Sequence, residues 1–167
     1  QLASRDLEGQ FNVDFANSDT VNLTYLDSYQ QLDKPFEIAS GVIIPVDAYR
    51  FGSLNASYTM GQQRPISGTA FVEQGAFWGG DRTTIGYRQA RLKITPQVAI
   101  EPGVSVNRVS LPFGSFTTSL ISSRITYAAT PLMFVSGLVQ YNSSRRSVDS
   151  NLRLRWEYLP GSELFIV

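Results

Sequence analysis

The sequence contains no cysteine and no histidine. The first absence excludes a disulfide framework and thiolate metal sites. The second removes the usual general base and the commonest metal ligand. Long apolar runs are missing as well: a transmembrane helix needs ~20 consecutive apolar residues, and runs such as Val42 to Val46 fall far short. Neither sign of charge is in excess. Fourteen Lys and Arg balance fourteen Asp and Glu, so the balance points to no nucleic-acid partner. Gln1 to Gly9 has no apolar core of the kind a secretory signal requires.

What the chain does have is aromatic residues, 8 Tyr, 10 Phe and 2 Trp, and a two-residue alternation of apolar and polar side chains, the period of a β-strand with one face buried or in lipid. Helical periodicity is weak throughout. Alternation predicts strands near 8–16, 20–27, 49–60, 66–77, 84–95, 98–108, 119–128, 132–141 and 151–158, and a tenth beginning at Glu163. Phe11, Val13 and Phe15 oppose Gln10, Asn12 and Asp14. Ala90, Leu92 and Ile94 oppose Gln89, Arg91 and Lys93. Leu152, Leu154, Trp156 and Tyr158 oppose Asn151, Arg153, Arg155 and Glu157. Pro102, inside one of these segments, predicts a bulge or an unpaired N–H.

Short connections are expected at 17–19, 61–65, 95–97, 129–131 and 159–161, and longer ones near 27–47, 78–82, 109–117 and 142–150. Outer-membrane barrels have such an asymmetry, with short periplasmic turns and long outer loops. Tyr127, Trp156 and Tyr158 lie beside expected short turns. Tyr25, Tyr49, Phe51, Phe77, Trp78 and Tyr141 lie beside expected long loops. Two such bands match the aromatic girdles of a membrane barrel. The fold class expected is all-β: an antiparallel up-and-down transmembrane β-barrel with about ten strands, part of a larger barrel. Residues 1–167 are expected to be a single barrel domain or barrel fragment. The apolar ending Leu164-Phe165-Ile166-Val167 predicts that the strand continues beyond it.

The polar face carries Arg91, Lys93, Glu101, Arg124, Arg153, Arg155 and Glu157, with Glu73 beside them. In a barrel this face lines the lumen, and these residues form a candidate ligand-binding wall for anions or sugar acids. Their structural alternative is an Arg–Glu ladder that pins neighbouring strands. Glycosidase chemistry needs two carboxyls at a set separation, one of raised pKa. Cations near Glu73, Glu101 and Glu157 oppose that, so no catalytic residue is expected. Asp14, Asp19, Asp27 and Asp47 have no EF-hand spacing and read as turn residues. Trp78-Gly79-Gly80-Asp81 reads either as a sugar-stacking loop or as an interface aromatic before a hairpin turn. No metal and no cofactor are expected.

A longer phrase runs through the C-terminal half. It comprises Ser123-Arg124-Ile125-Thr126-Tyr127, Pro131-Leu132-Met133-Phe134, Gln140-Tyr141-Asn142-Ser143, Asn151 to Tyr158 and Pro160 to Phe165, with Val109 to Phe116 upstream. It resembles the C-terminal β-barrel domain of unknown function (the DUF 5916 type) of large bacterial cell-envelope proteins, which follows modules similar to family-9 carbohydrate-binding domains. The resemblance is strongest from about Arg82 onward. It implies an outer-membrane location, a barrel that continues past Val167, an absent N-terminal module and no catalytic residues. The function expected is a membrane-embedded scaffold or pore in the bacterial cell outer membrane. Its partners would be the lipid bilayer and other envelope proteins or saccharides, with no nucleic acid. The alternatives are a soluble β-barrel or sandwich that binds a carbohydrate or small ligand, and a carboxylate-dependent glycan hydrolase.

Overall fold

The structure, a computed structural model, describes residues 4–166. They form twelve strands and, among the described residues, no helix. In chain order the strands are β1 (Ser4–Asp14), β2 (Thr20–Gln31), β3 (Phe36–Ala39), β4 (Val42–Ile44), β5 (Ala48–Met60), β6 (Ile66–Phe77), β7 (Gly80–Lys93), β8 (Val98–Leu111), β9 (Gly114–Thr130), β10 (Met133–Asn142), β11 (Ser147–Leu159) and β12 (Ser162–Ile166). Ten of them make one antiparallel up-and-down sheet in the order β1-β2-β5-β6-β7-β8-β9-β10-β11-β12, and β3 pairs only with β4. The sheet is not closed into a barrel: β1 and β12 stand at the two ends of the strand order.

All ten predicted strands are present, but the expected contrast of long and short connections is not. Only the β2–β5 connection is long, and it contains β3 and β4. The others expected to be long are tight. Trp78 and Gly79 alone join β6 to β7, and Pro112 and Phe113 alone join β8 to β9. Trp78 and Gly79 have φ of +48° and +79°, the pair of positive values that suits a two-residue hairpin to the strand twist. The strands outrun the sequence reading because alternation persists into the supposed loops. Val109 and Leu111 continue β8 as buried residues, and Phe116 continues β9. Pro102 lies within β8, which runs unbroken past it.

The chain divides into two compact units, each crossed by several strands. The first comprises Gln1–Thr59, Ala70–Gly86 and Val106–Thr118. Its registers align Phe11 with Leu23 and Ala56, and Val13 with Val21 and Tyr58, on one face. Gln10, Thr24 and Asn55 share the other, as do Asn12, Asn22 and Ser57. Opposed residues in an antiparallel pair share a face, so the apolar and polar sets are separated across three strands. Phe11, Leu23, Tyr25 and Leu54 are all exposed.

The β3–β4 hairpin adds a local core. Val42 and Ile44 are buried with Tyr49, Trp78, Val109 and Leu111. Trp78 is the hub of an aromatic cluster, with ring centroids 4.9 Å from Tyr49, 5.0 Å from Phe51, 5.2 Å from Phe36 and 6.2 Å from Phe77, all edge-on. Edge-to-face pairs of this kind add to area burial. Tyr49 and Phe51 alternate in step with Ser53, Asn55 and Ser57. They therefore belong to the otherwise polar face, and the hairpin covers its end. This corrects the expectation that Tyr49, Phe51, Phe77 and Trp78 form an interface band, because a hairpin of the same chain takes up their apolar surface. It also excludes Trp78 as an exposed stacking platform, since the ring is only 8% exposed.

The second unit comprises Met60–Thr69, Tyr87–Ser105 and Ser119–Val167. Here Tyr127, Val135, Leu154 and Ile166 line up across β9 to β12, as do Ile125, Gly137 and Leu152 across β9 to β11. The interleaved rows are Thr126, Ser136 and Arg153, then Arg124, Leu138 and Asn151. The apolar row is again open to the outside, with Ile125, Tyr127 and Val139 about half exposed and Leu152 65% exposed.

The hairpin core makes a direct prediction. Ile44 is fully buried and its neighbour Ile43 is 57% exposed. Ile44→Ala should destabilise the fold by about 2–5 kcal/mol. Ile43→Ala should cost well under ~1 kcal/mol. Urea midpoints of the two variants measure the difference, and equal midpoints would show that the hairpin is not docked through Ile44.

Candidate functional site

Charge is unevenly divided between the units, although the chain is neutral. The first has five Lys and Arg against ten Asp and Glu; the second has nine against four. In the second unit the basic residues gather on the polar face because alternation delivers every second residue of β7, β9 and β11 there. Arg153 and Arg155 lie two apart on β11, and Arg91 and Lys93 two apart on β7.

Among the described residues, this unit holds at least three hollows. The first, about 490 Å³, is lined from β8 to β12 by Glu101, Arg124, Arg153, Asn151, Phe134 and Phe165, among others. One recess touched by five successive strands requires the sheet to curl around it. The second, about 430 Å³, shares Glu101, Arg124 and Leu138 with the first and adds Arg88, Arg91 and Ser122. The third, about 510 Å³, shares Arg91 with the second and lies against the β5–β6 and β7–β8 turns, with Arg64 and Lys93.

Glu101 and Arg124 form the shared wall of the first two hollows, with Oε2 3.6 Å from Nη1. That separation is an ion pair rather than a tight hydrogen bond, and both side chains remain in contact with water, Arg124 being 51% exposed. Arg153 donates from Nε to Asn151 Oδ1 at 3.0 Å, which holds its guanidinium along the strand. Arg91 has no ion-pair partner among the described residues. Lys93 reaches the Gln62 carbonyl at 3.4 Å.

Of the seven residues singled out in the sequence, five therefore line these hollows: Arg91, Lys93, Glu101, Arg124 and Arg153. The other two serve the β11–β12 hairpin. Arg155 pairs with Glu163 across the two strands, and Glu157 accepts a hydrogen bond from the Gly161 amide at 3.3 Å in the turn. Glu73 pairs with Arg82 in the neighbouring strand in the same manner. The three carboxylates considered for glycosidase chemistry are thus all engaged, Glu73 and Glu101 by guanidiniums and Glu157 by a turn amide. The Asp residues have local partners as well. Asp14 accepts from Thr20 Oγ1 at 2.8 Å, Asp19 from Asn17 and Tyr58, Asp27 from Arg50, and Asp47 from the Ala48 amide at 2.7 Å.

Arg88, Phe134, Asn151 and Phe165 also line the recesses without having been singled out. Alternation placed Phe134 and Asn151 on the correct face but did not show that the sheet would curl around them. Arg88 was hidden for a different reason. Gln89 has φ of +54°, a left-handed residue inside β7, and alternation slips there as it does at a bulge. Arg88 and Arg91, three positions apart, consequently line one recess. Nearby Gly68 has φ of +148°, and a Cβ there would come within 2.6 Å of the Tyr87 hydroxyl, so the irregularity in β7 is matched by a glycine in β6.

No protein-family model matches the chain, and comparison with curated proteins and with solved structures returns no match. The resemblance noted in the sequence thus rests on its quoted residues alone.

Glu101→Gln is expected to change stability by less than ~1 kcal/mol, because the pair is long and water-exposed. Thermal unfolding in low and high salt checks this. A loss of several kcal/mol would show that Glu101 is needed to neutralise the surrounding guanidiniums.

Proposed function

We propose that this chain forms wall of an outer-membrane β-barrel that serves as a scaffold or pore, with the charged face toward an aqueous lumen and the apolar face toward lipid. The observation that carries the reading is the sense of the two faces. In the second unit the curled side of the sheet holds Glu101, Arg124 and Arg153, while Ile125, Tyr127, Val139 and Leu152 are exposed on the other side. A soluble barrel buries its apolar face within and leaves charges outside. Exposed apolar patches beyond a few hundred Å² mark an interaction surface. In β9 to β11 the apolar rows contain no charged residue: Ile121, Tyr141 and Val148, then Ser123, Val139 and Ser150, then Ile125, Gly137 and Leu152, then Tyr127, Val135 and Leu154. In the first unit the apolar face is charge-free from Val21 to Tyr25, and the Asp27–Arg50 pair lies beyond that stretch. Charged side chains kept out of the middle of the band are what hydrocarbon requires.

One observation favours a soluble barrel or sandwich that binds a carbohydrate or small ligand. The Val42, Ile44 and Trp78 cluster is a dry core on the otherwise polar face. It is confined to the part of the first unit covered by the β3–β4 hairpin. The chain's behaviour without detergent separates the readings: a membrane wall aggregates, and a soluble barrel stays monodisperse. The bilayer is the partner this reading requires, and no catalytic step is part of it.

Two adjacent residues of β10 supply a sharper test. Val139 is 52% exposed on the apolar face and Gln140 opposes Ser122 and Asp149 on the other. In lipid vesicles Val139→Arg is expected to cost about 2–4 kcal/mol, and Gln140→Arg much less. Folding titrations measure both, and equal costs would reject the assignment of faces. Independently, nitroxide labels at Leu152 and Ile125 should be accessible to oxygen, and labels at Arg153 and Ser136 to an aqueous quencher. The reverse pattern would establish the soluble arrangement.

A further inference from the structure

We infer that the pair of adjoining hollows that share Glu101 and Arg124 is a binding site for a carboxylated sugar, an anionic group on an apolar-faced ring. The inference deepens the lumen reading and rests on it only for the side from which the ligand arrives. Four guanidiniums, from Arg88, Arg91, Arg124 and Arg153, line the two adjoining hollows with one carboxylate, Glu101. Bidentate recognition of a planar carboxylate is what guanidinium geometry does best. At Arg124 the anion competes only with a long internal pair, since its nearest contact with Glu101 is 3.6 Å. The recess also has apolar floor. Phe134 of β10 and Phe165 of β12 lie in the cross-strand row beside that of Thr126 and Ser136 and line the hollow with them and Asn151, so ring C–H groups would meet phenyl groups while hydroxyls meet side-chain oxygens and amides. A bare inorganic anion would use the guanidiniums and leave the phenyl groups without a role. The volumes, about 490 and 430 Å³, lie within the range of small-molecule sites.

The ion pairs that bind neighbouring strands are separate from the charges of the site, although Arg155 lies between Phe134 and Phe165 in one cross-strand row. Arg155 is committed to Glu163 and Arg82 to Glu73, and neither arginine lines the two hollows. Arg145, in the turn between β10 and β11, lines neither hollow, so Arg145→Gln is a control that removes one positive charge from the same unit away from the recess.

The test is isothermal titration of the folded chain, in the detergent or lipid in which it is stable, with galacturonate, galactose and inorganic phosphate. Saturable binding of galacturonate is expected, at least tenfold tighter than either galactose or phosphate and weakening as salt is raised. Arg124→Gln and Arg153→Gln should each weaken it by about tenfold, the order of one charge-assisted hydrogen bond, while Arg145→Gln leaves it unchanged. Phe165→Ala should weaken galacturonate and leave phosphate unaffected. Circular dichroism confirms that each variant has retained its strands, and Arg124→Lys covers any failure of the glutamine variant to fold. Three results would overturn the inference: no saturable binding by the folded chain, phosphate bound as tightly as galacturonate, or equal losses in the Arg145 and Arg124 variants. The spin-label pattern is measured without ligand. A rejected site with labels still facing lipid would therefore leave the membrane reading standing, and the converse result would leave the site standing.

Discussion

Everything else in this chain depends on the antiparallel hydrogen-bond ladder keeping its register. Side chains alternate with a period of two, so a slip of one residue would move an entire strand's apolar set to the opposite face. Such a slip between β10 and β11 would set Val135 against Arg153 or Arg155 instead of Leu154. The sheet has little else to hold it: apart from Ala90, the buried apolar residues gather in one cluster around the β3–β4 hairpin. The faces are therefore stabilised less by a core than by backbone pairing, by cross-strand contacts such as Phe11 with Leu23, and by ion pairs such as Arg155 with Glu163. An uncovered apolar face of this extent is costly in water, and a surrounding hydrocarbon phase removes that cost.

The strands were legible in the sequence because alternation is a local signal. The span from Ile66 to Phe77 read from periodicity is the span of β6, and most other ends differ by only a few residues. The polar-face membership of Glu101, Arg124 and Arg153 was legible for the same reason. Three features were not. The lengths of the connections depend on where alternation stops, and at Val109, Leu111 and Phe116 it stops later than the nearby Pro and Gly residues suggest. The burial of Trp78 depends on a hairpin more than thirty positions away in sequence. The presence of Arg88 in the recess depends on a single left-handed residue, Gln89, and glutamine does not announce that conformation. What could be read was local; what could not was set by tertiary contact or by one anomalous dihedral.

A formal charge of zero is also a poor description of this molecule. A net charge of five negative in the first unit (five basic against ten acidic residues) and five positive in the second (nine against four) cancel in the sum but not in any local field. A solute on the polar face of the second unit meets guanidiniums, whatever the total.

The β3–β4 hairpin has a further property as an inserted part. The ladder between β2 and β5 is complete without it: Gln31 opposes Ala48, and the Leu32 amide donates to the Asp47 carbonyl at 2.9 Å. Everything from 33 to 46 hangs outside that pairing and is attached to the remainder through side chains. Strand alignment and end-covering are thus encoded in separate stretches of chain. Natural variation or a designer can lengthen or exchange the cover, so long as its apolar side chains still fill the cluster, while the register of the sheet is inherited unchanged, which makes this junction a natural grafting point.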